Sequence, residues 1–241
     1  TILCGGEVDR VPLKDYCIDL EAILERVSYR TKLVWLCSPA NPTGPVIRKN
    51  EFDSFLSRLP ERVVVVLDEA YREFVTSEES AHADHYLFKD DRVIGLRTFS
   101  KAFGMAGLRV GYVVAHPMVI ELISKVKLPF NVNVPAQAAA LALLREQKFV
   151  QNYIDLVVSE RVQTGLDLET LGLKVLPSQA NFLFIELPTD GDRVFRELLK
   201  KGFIIRPGSV FGLPNFMRVS LGTRVQNQKF VIHLGRILAE I

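Results

Sequence analysis

Short apolar runs alternate with amphipathic stretches through the first half of the chain. Residues 33–37, Leu-Val-Trp-Leu-Cys, and 63–67, Val-Val-Val-Val-Leu, are unbroken. The second is β-branched, as a strand covered on both faces requires. Residues 93–96 and 110–115 predict two further strands. Between the runs, Phe52, Phe55, Leu56 and Leu59 recur at helical spacing, as do Val119, Ile120, Leu122, Ile123 and Val126. This alternation predicts an α/β layer around a mostly parallel sheet. Polar and reactive residues follow the strand ends, where ligands bind in such sheets.

Pro135 then opens a long helical pattern carrying Ala136, Ala139, Ala140, Leu143, Leu144, Tyr153, Ile154, Val157 and Val158. A proline in the first turn is well placed. Beyond it the rhythm changes. Residues 174–176, 181–187, 203–206 and 216–220 read as strands. Val194, Phe195, Leu198 and Leu199 mark a helix closed by Gly202. Thr223 with Gln226 forms a capping box for a last helix through Phe230, Leu234, Leu238 and Ile241. The expected organisation is a larger α/β unit over 1–134, one long linking helix over 135–166 and a smaller α+β unit over 167–241.

Composition narrows the function. The 241 residues suffice for one large or two modest domains. A net charge of +2 makes no case for nucleic acid or an anionic membrane surface. The apolar runs are far too short to span a bilayer. Cys4, Cys17 and Cys37 form no CxxC pair, so reduced thiols in the cytoplasm are the simplest reading, and no signal peptide is visible. His82 and His85 stand in a polar stretch, 78–84, which reads as a solvated loop rather than a metal site. Thr1 is not preceded by methionine, and the opening Ile-Leu-Cys-Gly-Gly reads like the middle of a domain, so the chain is expected to be part of a longer protein.

The candidate chemistry centres on Lys101, just past the run at 93–96. Burial there favours the neutral amine, the form that attacks a carbonyl. Thr98 and Ser100 supply hydroxyls, and Arg109 adds a cation. Together they suit a ligand with an aldehyde and a phosphate, such as pyridoxal 5′-phosphate. Ser-Lys alone fits a solvated lysine better; the neighbouring motifs change that balance. Asn41 sits in Ser-Pro-Ala-Asn-Pro-Thr-Gly, a turn whose prolines and glycine fix its amide. A plain turn asparagine is the alternative. Asp68 closes the run at 63–67, where a carboxylate is poorly solvated and a protonated pyridine nitrogen would be a suitable partner. Tyr71, three residues on, could reach the same ligand. A helix-capping aspartate and a core tyrosine fit those two equally. Arg206 and Arg218 lie in apolar strand contexts, where a buried arginine needs an anion or a structural ion pair.

These residues carry a resemblance. Asn-Pro-Thr-Gly, Asp-Glu-Ala-Tyr, Ser-Lys-Ala-Phe-Gly-Met-Ala-Gly-Leu-Arg-Val-Gly-Tyr, Ser-Gln-Ala-Asn-Phe and Arg-Pro-Gly-Ser-Val-Phe-Gly-Leu-Pro-Asn-Phe-Met-Arg-Val-Ser-Leu-Gly-Thr occur in order over nearly the whole chain. The set resembles the fold-type I pyridoxal-phosphate-dependent aminotransferases, above all the histidinol-phosphate aminotransferases. Each motif is weak alone; the ordered set is specific.

The resemblance implies a cofactor-binding large domain, incomplete at its front, and a smaller α+β domain. It makes Lys101 the Schiff-base lysine and Asp68 the partner of the pyridine nitrogen. Asn41 and Tyr71 hold the ring hydroxyl, and Thr98, Ser100 and Arg109 the cofactor phosphate. Arg218 takes the substrate's anionic group and Arg206 supports a phosphate there. No metal is implied. The implied reaction moves the amino group of L-histidinol phosphate to 2-oxoglutarate, in a cytoplasmic homodimer. The chain departs from the pattern in lacking on the order of a hundred residues before Thr1, within the size of one domain. Rival readings are a threonine-phosphate-type decarboxylase, an aromatic amino-acid aminotransferase and a non-catalytic binding or regulatory module on the same scaffold. Ala106-Gly107-Leu108-Arg109 resembles the aminotransferase more than the decarboxylase, and the intact catalytic positions speak against the module.

Overall fold

A computed structural model of the chain describes residues 1–240. Ile241, placed on the last helix by the sequence pattern, lies outside the described residues. The first sheet comprises Leu33–Cys37 (β1), Val64–Asp68 (β2), Val93–Thr98 (β3) and Gly111–Val114 (β4), in that spatial order. β1, β2 and β3 are parallel, and β4 runs antiparallel to β3. Cys37 pairs with Asp68, and Asp68 with Leu96. The three parallel strands therefore end together, and the segments that follow them emerge along one edge.

Leu20–Arg26 (α1) and Lys49–Arg58 (α2) cover one face of this sheet. The sequence pattern had not marked α1, whose first turn is capped by Asp19 accepting the Ala22 N–H at 3.0 Å. Phe52 and Phe55 on α2 are essentially fully buried against Val34, Leu36 and Leu67. Each contributes on the order of 2–3 kcal/mol by removing its ring from water. β1 is covered on that face only; Leu33 and Trp35 are exposed on the other. Pro117–Val126 (α3) buries none of its residues.

The expected single helix over 135–166 is two. Val134–Arg145 (α4) ends, and Gln147–Thr170 (α5) begins, at Glu146, whose φ of −93° and ψ of 47° break the helical path. Ala140 of α4 packs with Phe99 and Met105 beside the first sheet. Val157 and Leu168 of α5 pack with Phe182, Leu198 and Leu234 in a second core. Two cores draw the halves of one apolar pattern to different surfaces, and no proline or glycine announces the break.

The second sheet is antiparallel, Lys174–Val175 (β5), Phe182–Glu186 (β6), Arg206–Pro207 (β7) and Phe216–Ser220 (β8), in the order β5-β6-β8-β7. The strand expected over 203–206 shrinks to Arg206–Pro207. Ile204 is exposed, and the Phe203 ring packs on Phe230 and His233 instead of lying on the sheet. Gly191–Lys200 (α6) is capped by Asp190 and followed by Gly202 at φ 84°, a conformation glycine adopts without strain. Arg224–Glu240 (α7) follows Thr223, whose N–H donates to Gln226 Oε1 at 2.8 Å. The second core also takes in Tyr71, Phe74 and Ala102. The two sheets therefore share packing at the place where β2 and β3 end.

The stretch at 78–84 is not a solvated loop. Ser80, Ala81 and Ala83 are buried, and His82 Nδ1 lies 3.2 Å from Glu69 Oε1. Glu69, fully buried, draws donors inward: His82, the Ala83 N–H at 3.1 Å and Arg97 Nε at 2.9 Å.

Candidate functional site

Lys101 sits in the bend directly after β3. The Ser100 N–H donates to Thr98 Oγ1 at 3.0 Å, which folds the bend and brings both hydroxyl-bearing residues to one side. Arg109, in the left-handed region at φ 57°, returns its Nη1 to the Ala106 carbonyl at 2.6 Å and to Ser100 Oγ at 3.4 Å. A guanidinium and two hydroxyls thus gather next to the Lys101 stem.

The Lys101 amine lies 5.2 Å from the centroid of the Tyr71 ring. Burial lowers its pKa, Arg218 and Arg109 lower it further, and Asp68 opposes them. The result is an amine more readily neutral than a surface lysine. Tyr71 is buried, which raises its pKa, while Arg218 pulls the other way. Asp68, the last residue of β2, accepts the Ala70 N–H at 3.0 Å. Beside it Cys37, at the end of β1, has its thiol pushed up to about 11 by burial and by the Asp68 carboxylate.

Asn41 is carried by the turn after β1. Gly44 shapes that turn: its φ is 101°, and a Cβ there would stand 2.7 Å from Ser178. The Gln179 N–H donates to the Gly44 carbonyl at 2.9 Å, docking the turn on the lead-in to β6. Asn41 Oδ1 accepts from Arg218 Nη1. Arg218, on β8, has its guanidinium 5.1 Å from the Phe182 ring centroid and 5.6 Å from that of Phe211. Its Nε is buried without a partner. Burial lowers the Arg218 pKa; Tyr71 opposes that shift and Arg206 adds to it.

Arg206 on β7 is the register partner of Arg218 on β8. Like charges directly opposite are unfavourable unless an anion joins them. Arg206 is exposed, unlike the buried arginine suggested by its apolar context, because β7 is a two-residue edge strand. Sequence reasoning did not single out Cys37, Phe182 or Phe211. Both phenylalanines lie within quoted motifs, but no spacing reveals that they flank Arg218.

The arrangement offers an amine with lowered pKa, a carboxylate near it, and two guanidiniums, Arg218 and Arg109, acting on it from different elements. That donor set fits a small electrophile bearing its own phosphate, with a second anionic molecule held by Arg218. Among the described residues no group of acidic, histidine and cysteine side chains forms a metal cage.

A model of the family described as aminotransferase class I and II matches residues 2–234. The histidinol-phosphate aminotransferase of Moorella thermoacetica is 43% identical over 236 residues, covering 98% of this chain and 61% of that protein. The enzyme of the same description from Geobacillus thermodenitrificans is 41% identical over 239 residues, covering 99% and 66%. The chain therefore spans less than two thirds of the length of these relatives. Among solved structures, the Sinorhizobium meliloti histidinol-phosphate aminotransferase in complex with pyridoxal-5′-phosphate superposes with a TM-score of 0.89 at 29% identity, covering 98% of this chain and 65% of that one.

Proposed function

We propose, for a chain that belongs to the aminotransferase class I and II family, that the whole protein transfers the amino group of L-histidinol phosphate to 2-oxoglutarate with pyridoxal 5′-phosphate as cofactor. The observation that carries the substrate is the facing pair Arg206 and Arg218, with Arg218 Nε buried and unpartnered. Two guanidiniums on one side of a sheet suit a dianionic phosphate monoester better than a single carboxylate.

The donor set fits the cofactor. Lys101 would hold its aldehyde carbon, Asp68 its ring nitrogen, Asn41 and Tyr71 its ring hydroxyl, and Thr98, Ser100 and Arg109 its phosphate. When bound, it supplies an electrophilic carbon for the donor's amine and a ring that accepts charge from the donor's amino-bearing carbon. Lys101 Nζ, its proton affinity lowered by burial and by Arg218 and Arg109, would be the base that takes the proton from the donor's amino-bearing carbon. The Asp68 carboxylate would favour a proton on the partner nitrogen. Arg218, held by Asn41 and by the Phe182 and Phe211 rings, orients the donor's anionic end, and the rings exclude water from it. The 2-oxo acid then presents its carboxylate to the same arginine. We place the protein in the cytoplasm as a homodimer, a second copy covering the apolar side chains of α3 and the segment after it; no described helix is long and apolar enough to cross a membrane.

Donor specificity tests the reading. In the intact natural protein, Arg206→Ala is expected to lower kcat/KM for histidinol phosphate by about 30-fold or more, the loss of one charged hydrogen-bonded contact. The glutamate half-reaction should change by less than about threefold. Equal losses would make Arg206 structural and remove the case for a phosphate. Carbon dioxide released from O-phosphothreonine would assign the decarboxylase instead.

A further inference from the structure

We propose that Arg161 is a positioning residue that sets the substrate-reading sheet against the cofactor-bearing sheet; the inference rests on the transamination reading above. Arg161 lies in the middle of α5 and is only 6% exposed. Among the described residues no carboxylate pairs with it, and burial is the cause of its lowered pKa. A guanidinium buried without an anion is costly, and an apolar side chain of similar volume would fill the same space at less cost.

What the guanidinium does instead is join segments distant in sequence. Its Nη1 donates to the Phe74 carbonyl at 2.9 Å and to the Ala180 carbonyl at 3.1 Å. Its Nη2 donates to Thr76 Oγ1 at 3.4 Å. Phe74 and Thr76 belong to the segment that leaves β2 through Asp68 and Tyr71. Ala180 leads into β6, which carries Phe182 and pairs with β8 at Arg218. The link is doubled, because Gln179 Oε1 accepts both the N–H and the hydroxyl of Thr76, at 2.7 and 3.1 Å. Through the Gln179 N–H it extends to Gly44, in the turn that bears Asn41. Arg161 thus joins the segment after Tyr71 to the lead-in of the Arg218 sheet, while the link to the Asn41 turn is made by Gln179.

This placement makes the role separable. Lys101, Asp68, Thr98, Ser100 and Arg109 all stand on the first sheet or the turns that follow its strands. Arg218 and Arg206 stand on the second sheet. Loosening Arg161 should leave the first group in place and shift the second relative to it.

The test uses the intact natural protein with Arg161→Met and Arg161→Lys, and Gln179→Ala should the first fail to fold. Affinity for pyridoxal phosphate, kcat and KM for histidinol phosphate, and thermal unfolding are measured for each. Arg161→Met is expected to keep cofactor affinity within about threefold and to raise the donor KM about tenfold or more. Arg161→Lys, which retains the charge but not the fork, should fall between. Gln179→Ala should raise the donor KM about threefold or more with cofactor affinity unchanged. An unchanged KM in a variant that merely unfolds at lower temperature overturns the inference, as does equal loss of cofactor and donor affinity. A parent protein that takes up no pyridoxal phosphate overturns the transamination reading and this inference with it; an active parent with an Arg161→Met variant of unchanged KM overturns the inference alone.

Discussion

Among the described residues Lys101 alone combines a place after a buried strand, hydroxyls beside it, and a pKa lowered by burial and two guanidiniums. Covalent trapping with borohydride should therefore label Lys101 alone, and Lys101→Ala should abolish the label. A label mapping to Lys125 or Lys127 would overturn the assignment. Asp68 gives a graded outcome. Asp68→Asn keeps an acceptor for the Ala70 N–H, so the turn should survive. An amide cannot balance a ring-nitrogen charge, so single-turnover rates in the intact protein should fall about 100-fold or more, some 3 kcal/mol. A loss of only a few-fold would mean that Asp68 merely caps its turn.

Among elements, the buried charge network under β2 and β3 is the clearest determinant of stability. Glu69 sits beside Asp68 in sequence, and Arg97 beside Thr98. Arg97 joins Glu69 Oε2 at 2.9 Å and Asp84 at 2.7 Å, while Arg72 holds the other Asp84 oxygen at 2.9 Å. Burial alone would raise the Glu69 pKa, but His82, Arg97 and the Ala83 N–H together bring it below the ordinary glutamate range. A depressed carboxylate pKa contributes stability that is present above the unfolded-state value and lost as pH falls through the folded one. Urea unfolding midpoints should therefore drop below about pH 4.3. Glu69→Gln should cost on the order of 3 kcal/mol at pH 7, because it leaves Arg97 buried with less compensation. The variant should also lose part of the acid sensitivity. Gly95 belongs to the same device: a Cβ there would stand 2.5 Å from Ala83 and 3.0 Å from Glu69 Oε2.

For the molecule as a whole, the uncovered apolar surface is the dominant feature. Val126 is 81% exposed, Leu128 74%, Phe130 100% and Val134 76%. Trp35, at 57%, lies on the open face of the first sheet. Exposed large apolar side chains in this number mark surfaces that associate. The 241-residue chain is expected to sediment as a dimer or larger species at micromolar concentration. Phe130→Glu with Leu128→Glu should shift it toward monomer. A monodisperse monomer before substitution would remove the argument for a covering partner.

The strands of the first sheet were legible as short apolar runs and α2 and α3 from their 3.6-residue repeat, while α1 was not marked. Lys101, Asn41, Tyr71 and Arg109 were named because they stand in short motifs after strand ends, whereas Asp68 and Thr98 close strands and Arg206 and Arg218 lie within them. Periodicity runs out where distant segments decide the outcome. The break at Glu146 arises from two cores competing for one apolar pattern. Phe203 left its expected strand to pack on α7. The segment at 78–84 folded inward because the buried Glu69 carboxylate required donors. The bond of Arg218 to Asn41, its packing on the Phe182 ring, and the role of Arg161 depend on contacts between segments far apart in the chain. The amino-acid sequence alone determined which elements form and which chemical groups stand at their ends, because those are short-range properties of the chain. Only the tertiary structure decided which of those groups meet, because convergence depends on how two sheets share a core and on where buried charge can find a partner.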